Sequence, residues 1–580
     1  MEVMKQYEEW LSQPCFDEET KKELQQLKGN EKEIQERFYK ELEFGTAGLR
    51  GIIGAGTNRI NVYTVRKATQ GLANYIRKKD GQEKGVAIAY DSRRMSPEFA
   101  REAALCLAAN GIKAYVFESL RPTPELSYAV RTLGCIAGIN ITASHNPPEY
   151  NGYKVYWEDG AQITPPHDKG IMDEVNALRD YDTLKTMELQ EATKEGLYIT
   201  IGKEIDDGYL AELKKLILHQ DAICRMGKEL KIVYSPLHGT GNLPVRRILA
   251  ELGFENVYVV KEQELPDGDF PTVSYPNPEA KEAFELGLKL AEKVDADLVL
   301  ATDPDADRLG VYVKDTATGT YKELTGNMSG CLLADYEIGQ KKEKLGLPED
   351  GYLIKTIVTS NLADAIAKGY GIGLMEVLTG FKFIGQKILG FETKGKGSYL
   401  FGFEESYGCL IGTYARDKDA VAATMALCEA AAYYKTRGKT LWDAMLDLYK
   451  KYGFYKDDIQ SITLQGMEGL QKIQEILGSL RTNPPRQVGG YQVERVRDYQ
   501  TSVILDCRTG ETTDTGLPVS NVLYYELEGD NWLCVRPSGT EPKVKFYYGV
   551  KGESLEDAQN RSDTLGKEVL SMIDTMLSEK

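Results

Sequence analysis

The sequence predicts an α/β protein: three related α/β domains with mixed, mainly parallel sheets, plus a C-terminal α+β domain, set around a central cleft. Three observations carry that reading. A strand-helix-strand-helix-strand order occurs three times, the third strand of each set runs directly into a polar segment, and the C-terminal segment abandons the pattern. At roughly 150 residues per domain, a chain of 580 residues has room for about four. Strands alternating with helices imply parallel sheets with right-handed crossovers, and such sheets bind ligands beyond the carboxyl ends of their strands. The three polar segments are therefore expected to line one shared cleft, the alternative being three unrelated turns.

The first forty residues are rich in Glu, Lys and Gln at helical spacing and read as a helical layer ahead of the Gly-rich run Gly45 to Gly56. VAIAY (86–90) reads as a buried strand, Ser96-Pro97 starts a helix with proline in its first turn, and IKAYVF (112–117) is a second strand. A helix from Pro124 to Leu133 leads into CIAGINIT (135–142). The order returns from Lys231 with KIVYS, a helix Pro244 to Leu252, VYVV, a helix Pro278 to Val294 and DLVLAT. It returns again from Tyr352 with YLIKTIV, a helix Asn361 to Lys368, LMEVL, GFKFIGQKI and SYLFGF (398–403). Short strands ending in WLCVRPSGTEPKVKFYYGV and a polar helix from Ser554 to Leu577 form the α+β domain. The boundaries fall at 1–204, 205–323, 324–453 and 454–580.

Composition excludes several functions. With 42% hydrophobic, 27% charged and 9% aromatic residues the chain reads as an ordinary globular protein. No stretch approaches the roughly 18 apolar residues of a membrane span, and MEVMKQYEEW lacks the order of a signal peptide, so a cytoplasmic location is expected. A formal charge of −17 disfavours nucleic acid and anionic membranes as partners. The nine cysteines never form C-x-x-C and the four histidines show no metal-binding spacing, so a metal would be a hard cation held by oxygen.

Asp303-Pro304-Asp305-Ala306-Asp307-Arg308, directly after DLVLAT, reads as such a site, with a solvated acidic turn as the alternative. Residues two apart in an extended segment face one side, so the three carboxylates can converge, and they would repel one another without a cation. Magnesium leads, ahead of manganese or calcium. An EF-hand does not fit, because Arg308 stands where the loop needs Gly and Lys314 where it needs Glu. Thr142-Ala143-Ser144-His145-Asn146-Pro147-Pro148 also closes a strand and offers a hydroxyl with His145 and Lys154 near in sequence. The same string suits an Asx turn before proline. No G-x-S-x-G surrounds Ser144. Arg536-Pro537-Ser538-Gly539-Thr540-Glu541-Pro542 combines a guanidinium, hydroxyls and a flexible glycine, a nest suited to a phosphate dianion or an ordinary surface turn. Gly390 to Gly397 fails as a P-loop, since Gly397 stands where Ser or Thr must hold magnesium, and no G-x-G-x-x-G follows a strand.

Together these segments resemble the α-D-phosphohexomutase family, over nearly the whole chain. TASHNPPEYNGYK is similar to its phosphoserine loop, DPDADR to its metal loop, GFEESYG to its sugar loop and RPSGTEPK to its phosphate loop, in the family's order. The resemblance implies that Ser144 carries the transferred phosphoryl group and that Asp303, Asp305 and Asp307, with a phosphoserine oxygen of Ser144, bind one magnesium ion. It implies that Arg50, in GTAGLRG, and Arg308 neutralise phosphate charge, and that His145, Lys154 and Lys382 are candidates, unranked, for proton transfer or charge stabilisation. Glu404 and Ser406 would grip sugar hydroxyls. Arg536, Ser538, Gly539 and Thr540 would hold the non-reacting phosphate. Phe403 stands where many relatives have Gly, which places the resemblance closest to a longer branch of phosphoglucomutases and phosphopentomutases. Pro304 and Ala306 replace glycines of some relatives. The activity implied is an intramolecular phosphotransfer, an isomerisation of glucose 1-phosphate and glucose 6-phosphate with glucose 1,6-bisphosphate as intermediate and activator. Pentose and mannose phosphates are the alternative substrates and a metal-dependent sugar phosphatase is the alternative of another class. Small sugar phosphates are the implied partners of a monomer or weak homodimer.

Overall fold

A computed structural model describes residues 2–42, 48–464, 466–538 and 543–578. They fall into two compact units, one of residues 1–326, 381–396 and 406–441, the other of 327–380, 397–405 and 442–580.

In the first unit, helices α1 (Glu2–Ser12), α2 (Glu18–Gln26) and α3 (Glu31–Phe38) bear out the predicted helical layer. Asp17 and Asn30 cap α2 and α3 by accepting from the backbone N–H of Thr20 and Glu33. The layer closes over an aromatic cluster of Tyr7, Trp10, Phe16, Phe38 and Tyr63. Behind it lies a sheet of β1 (Leu49–Ile52), β2 (Val86–Tyr90), β3 (Ala114–Phe117), β4 (Ala137–Ile141), β5 (Tyr150–Trp157) and β6 (Tyr198–Ile201), in the order β1-β5-β4-β2-β3-β6. The strands β4, β2, β3 and β6 run parallel, and β5 returns antiparallel between β4 and β1. The strands β2 and β4 are almost wholly buried, which is why they appear in the sequence as unbroken apolar runs rather than alternating ones.

A second sheet has the order β11-β10-β9-β7-β8, from β7 (Lys231–Ser235), β8 (Asn256–Val259), β9 (Leu298–Thr302), β10 (Leu309–Asp315) and β11 (Thr320–Leu324). Here too the third strand of the repeat, β9, pairs parallel with the first and is followed by an antiparallel return. The helix expected from Pro278 begins later. A short 3-10 turn covers Lys281–Phe284 and the α-helix covers Glu285–Val294. Asn277, whose carbonyl and side chain accept from Ala280 and Glu279, holds the preceding residues in a turn.

In the second unit, β12 (Gly351–Thr356) pairs parallel with both β13 (Gly373–Val377) and β14 (Ser398–Glu404). The third strand again lies on the opposite side of the first from the second, so β4-β2-β3, β9-β7-β8 and β14-β12-β13 share one order. The antiparallel sheet that follows runs in the order Phe454–Thr463, Lys543–Gly552, Asn531–Pro537, Leu523–Leu527, Tyr491–Asp498, Val503–Asp506 and Thr512–Asp514. Helices Gly466–Thr482 and Leu555–Ser578 supply apolar side chains to its core.

Charge ties this sheet to β12 and β13. Glu376 of β13 accepts from Arg497 at 2.7 Å and lies 3.7 Å from the fully buried Lys355 of β12, which also pairs with Asp364. Burial pushes the carboxyl of the adjoining Asp457 up to about 6, against the pull of a Ser360 hydrogen bond and of Lys355. A raised carboxyl binds its proton more tightly in the folded chain than in the unfolded one. Its contribution to stability is therefore full below the ordinary value of 3.8 and is lost as pH rises through about 6. Replacing Asp457 by Asn should raise stability by up to roughly 3 kcal/mol near pH 8 and leave it nearly unchanged near pH 4, read from urea unfolding midpoints.

Candidate active site

The segments Asn140 to Asn151 and Thr302 to Arg308 both join a parallel strand to its antiparallel return, and the first unit brings them together. Ser144 is 3% exposed, and its hydroxyl donates to Asp303 Oδ2 at 2.8 Å. His145 Nδ1 lies 3.2 Å from the same Ser144 Oγ. Ser144 adopts a left-handed φ of 52°, with its N–H donating to Thr142 Oγ1 at 2.8 Å. That conformation costs a non-glycine residue energy and turns the side chain out of the strand direction, toward the metal loop.

The metal loop is held from within. Asp303 Oδ1 accepts from the backbone N–H groups of Asp307 and Arg308, both at 3.0 Å, while Ala306 takes a φ of 51° to complete the turn. Oxygens of Asp303, Asp305 and Asp307 then lie within 4.8 Å of one another, all buried. The loop is also held from outside. Thr123, first residue of the helix Thr123–Leu133, donates its N–H to Asp305 O at 2.9 Å and its hydroxyl to Asp305 Oδ2 at 3.1 Å. Thr240 N–H donates to Pro304 O at 2.8 Å.

Cations offset this buried negative charge. Lys154 Nζ sits 2.9 Å from Asp305 and 3.9 Å from Asp307, and Lys418 Nζ sits 3.2 Å from Asp307. Burial and repulsion from Asp305 and Asp307 hold the Asp303 carboxyl well above the usual carboxylate range. For Asp305, burial is outweighed by Lys154, and its carboxyl lies below that range. Arg50 on β1 donates to Asn146 Oδ1 at 2.8 Å. Burial, then the neighbouring Arg308, lowers its guanidinium to about 10. Arg308 pairs with Glu279. Burial, with Arg308 and Arg50 beside it, drops His145 well below the ordinary histidine value and keeps the ring neutral at physiological pH.

Asp305 Oδ1 and Asp307 Oδ1 are buried with no hydrogen-bond partner among the described residues. Buried oxygens of that kind ordinarily cost stability, and a hard cation taking carboxylate oxygens would satisfy them. The three aspartates fit such a group.

Not every predicted residue belongs to this cluster. No hydrogen bond or ion pair joins Lys382 to Ser144 or the aspartates among the described residues. Lys382 is the second residue of the helix Phe381–Lys394, where burial lowers its ammonium and Asp168 is the charge that opposes the shift. Glu404 is buried in the second unit and accepts from Gly380 N–H at 2.9 Å, while Ser406 belongs to the first unit. Arg536 is the next-to-last residue of the strand Asn531–Pro537, and Ser538 N–H donates to Lys543 O at 2.7 Å. Gly539 and Thr540 lie outside the described residues. Sequence reasoning missed Lys418, Thr123 and Arg93, each of which touches the site from a distant segment. A lone cation in RDKD or a helix-opening threonine carries no local mark of its partner.

Residues 41–182, 207–319 and 325–452 match, in turn, family descriptions of phosphoglucomutase/phosphomannomutase α/β/α domains I, II and III. The chain is 37% identical over 530 residues to a phosphoglucomutase of Staphylococcus saprophyticus, covering 91% of this chain and 94% of that one. It is 36% identical over 534 residues to the phosphoglucomutase of Staphylococcus aureus, covering 92% and 94%. The fold is similar to that of a phosphoglucomutase/phosphomannomutase family protein from Burkholderia thailandensis, with a TM-score of 0.64 at 18% identity over 92% of this chain and 98% of that one. It is also similar to the Paramecium phosphoprotein parafusin, with a TM-score of 0.66 at 18% identity over 92% and 96%. Three α/β units of one strand order, followed by an antiparallel domain and carrying a buried serine against an aspartate triad, define a phosphohexomutase fold. The chain belongs to the phosphoglucomutase/phosphomannomutase family.

The site depends on close backbone approach at Gly152, where a Cβ would fall 2.4 Å from Thr142 O and 2.8 Å from Leu49 O. Gly152→Ala should therefore push β1, β5 and the start of the Ser144 loop apart, at a cost of about 2 kcal/mol in unfolding free energy, measurable by urea denaturation.

Proposed function

We propose that the chain is a phosphoglucomutase, interconverting glucose 1-phosphate and glucose 6-phosphate through a phosphorylated Ser144 and a reorienting glucose 1,6-bisphosphate. One magnesium ion per chain would be held by Asp303, Asp305, Asp307 and a phosphoserine oxygen. The observation that carries the reading is the buried Ser144 hydroxyl bonded to Asp303 inside a carboxylate cluster with cations around it. The likeness to the staphylococcal phosphoglucomutases over almost the full length supports glucose as the sugar.

Phosphoryl transfer needs alignment and charge stabilisation more than covalent assistance. When bound, the metal supplies positive charge to the phosphoryl oxygens. Arg50 and Arg308 add fixed positive charge beside the serine, in surroundings where burial strengthens it. In the first half-reaction the bond from Ser144 Oγ to phosphorus breaks as the bond from the free sugar hydroxyl to phosphorus forms. The hydroxyl proton passes to a base, for which His145, Lys154 and Lys382 are the candidates. Neutral His145, 3.2 Å from Ser144 Oγ, is placed to hold a proton at the serine when it is unphosphorylated. The second half-reaction reverses these bonds at the other phosphate of the turned bisphosphate. In this reading Glu404 and Ser406 hold sugar hydroxyls, and Arg536, Ser538, Gly539 and Thr540 hold the phosphate that is not reacting. The four-part division at residues 204, 323 and 453, a cytoplasmic location and a monomeric or weakly dimeric state belong to the same proposal. Among the described residues no helix is long and apolar enough to cross a membrane.

Ser144→Ala should lower turnover by on the order of 10⁴-fold with an unchanged far-ultraviolet circular dichroism spectrum; substantial residual activity removes Ser144 from the mechanism. Asp305→Asn should raise the magnesium concentration for half-maximal activity at least about 100-fold, more than loss of an outer-shell partner does. Isotope-labelled glucose 1-phosphate decides between mutase and phosphatase, since a mutase keeps the label in sugar phosphate and a phosphatase releases it. Relative rates on glucose, mannose and ribose 1-phosphates, primed with bisphosphate, decide the sugar.

A further inference from the structure

Arg93 follows β2 and is fully buried, yet it plays no part in the chemistry described above. Its guanidinium is surrounded by the Ser144 loop. One terminal nitrogen donates to Pro147 O at 2.8 Å and Tyr150 O at 3.0 Å, and the other donates to Ser144 O at 2.6 Å and to Asn146 O. Asp91 stands 3.4 Å from its Nε, and its plane lies over the Phe270 ring at 5.0 Å. Asp91 is itself fixed by accepting from Arg93 N–H and Ser96 Oγ, each at 2.9 Å.

Four carbonyl oxygens converging on one point repel one another, and a turn that places Ser144 at a left-handed φ does not maintain itself. A planar fork of donors is the side-chain geometry that matches such a cage. A lysine ammonium has three donors, no plane to lay on Phe270 and too short a reach across the loop.

We propose that Arg93 is a positioning residue for phosphoryl transfer, clamping the Ser144 loop through its carbonyls so that Ser144 Oγ stays against Asp303. The inference rests on the reading of Ser144 as the phosphoryl carrier. Independent support comes from the other repeats, where the loop after the first strand likewise braces the loop after the third. Thr240 N–H donates to Pro304 O after β7, and a Cβ on Gly239 would fall 2.5 Å from Pro304 Cα. At the end of β12 and just beyond it, Thr356 and Thr359 donate to Glu405 Oε2 at 3.0 and 3.4 Å. The first repeat performs this task with a buried guanidinium because four carbonyls of its loop converge on one point.

The test uses the full chain. Arg93→Lys keeps the charge balance with Asp91 while removing the fork, and the double variant Arg93→Met with Asp91→Asn removes both charges together. Both should lower kcat by about 100-fold, the effect of displacing a reacting group by roughly 1 Å. KM for glucose 1-phosphate should stay within about threefold, with the circular dichroism spectrum preserved, since the clamp does not touch the sugar. Intact-mass measurement after exposure to glucose 1,6-bisphosphate should show the phosphoryl group on Ser144 of the wild type, and slower loading in both variants. An Arg93→Lys enzyme with wild-type kcat overturns the inference, as does loss of fold in both variants, which would make Arg93 purely structural. A wild type that turns over without ever carrying phosphate on Ser144 instead overturns the reading beneath it.

Discussion

Three carboxylates withdrawn from water within 4.8 Å of one another are the constraint to which the first unit answers. Desolvation alone opposes each charge, and mutual repulsion adds to it, so the cluster persists because cations and donors are built around it. Lys154 and Lys418 contact Asp305 and Asp307, Thr123 caps Asp305, and the backbone of Asp307 and Arg308 caps Asp303. Two oxygens still lack a hydrogen-bond partner among the described residues, which fits a site shaped for a cation rather than for stability.

The sheet order sets the place of these loops. In each repeat the third strand lies beside the first, so the functional loop is flanked by the loop that follows the first strand. The antiparallel return after β4 and after β9 leads the chain away at once, leaving a tight, two-sided turn that a few hydrogen bonds can hold rigid. Two left-handed residues, Ser144 and Ala306, sit in those turns. Strain of that sort persists only where the surroundings over-determine the geometry, which suits a reaction that depends on alignment.

The second unit follows different rules. Its antiparallel sheet and the strands β12 and β13 meet through Lys355, Glu376 and Arg497, a chain of alternating charge that runs from a buried lysine to a half-buried arginine. Breaking one partner of such a chain strands the others in a low dielectric, so the two sheets stay together as one compact body. Nothing in the local sequence around Arg497 marks it as the partner of Glu376.

By itself the sequence determined the elements and the chemistry that lies within short segments. Strands such as DLVLAT are legible because both faces are buried, and Asp303, Asp305 and Asp307 are legible because they are neighbours. Tertiary structure alone decided which distant groups complete the site. The return strands β5 and β10, the start of the helix Glu285–Val294, and the placement of Arg93, Thr123 and Lys418 depend on pairings between segments far apart in the chain. Local periodicity records how a segment meets its own neighbours, whereas these contacts come from chain closure, whose energetics leave no periodic trace in either partner.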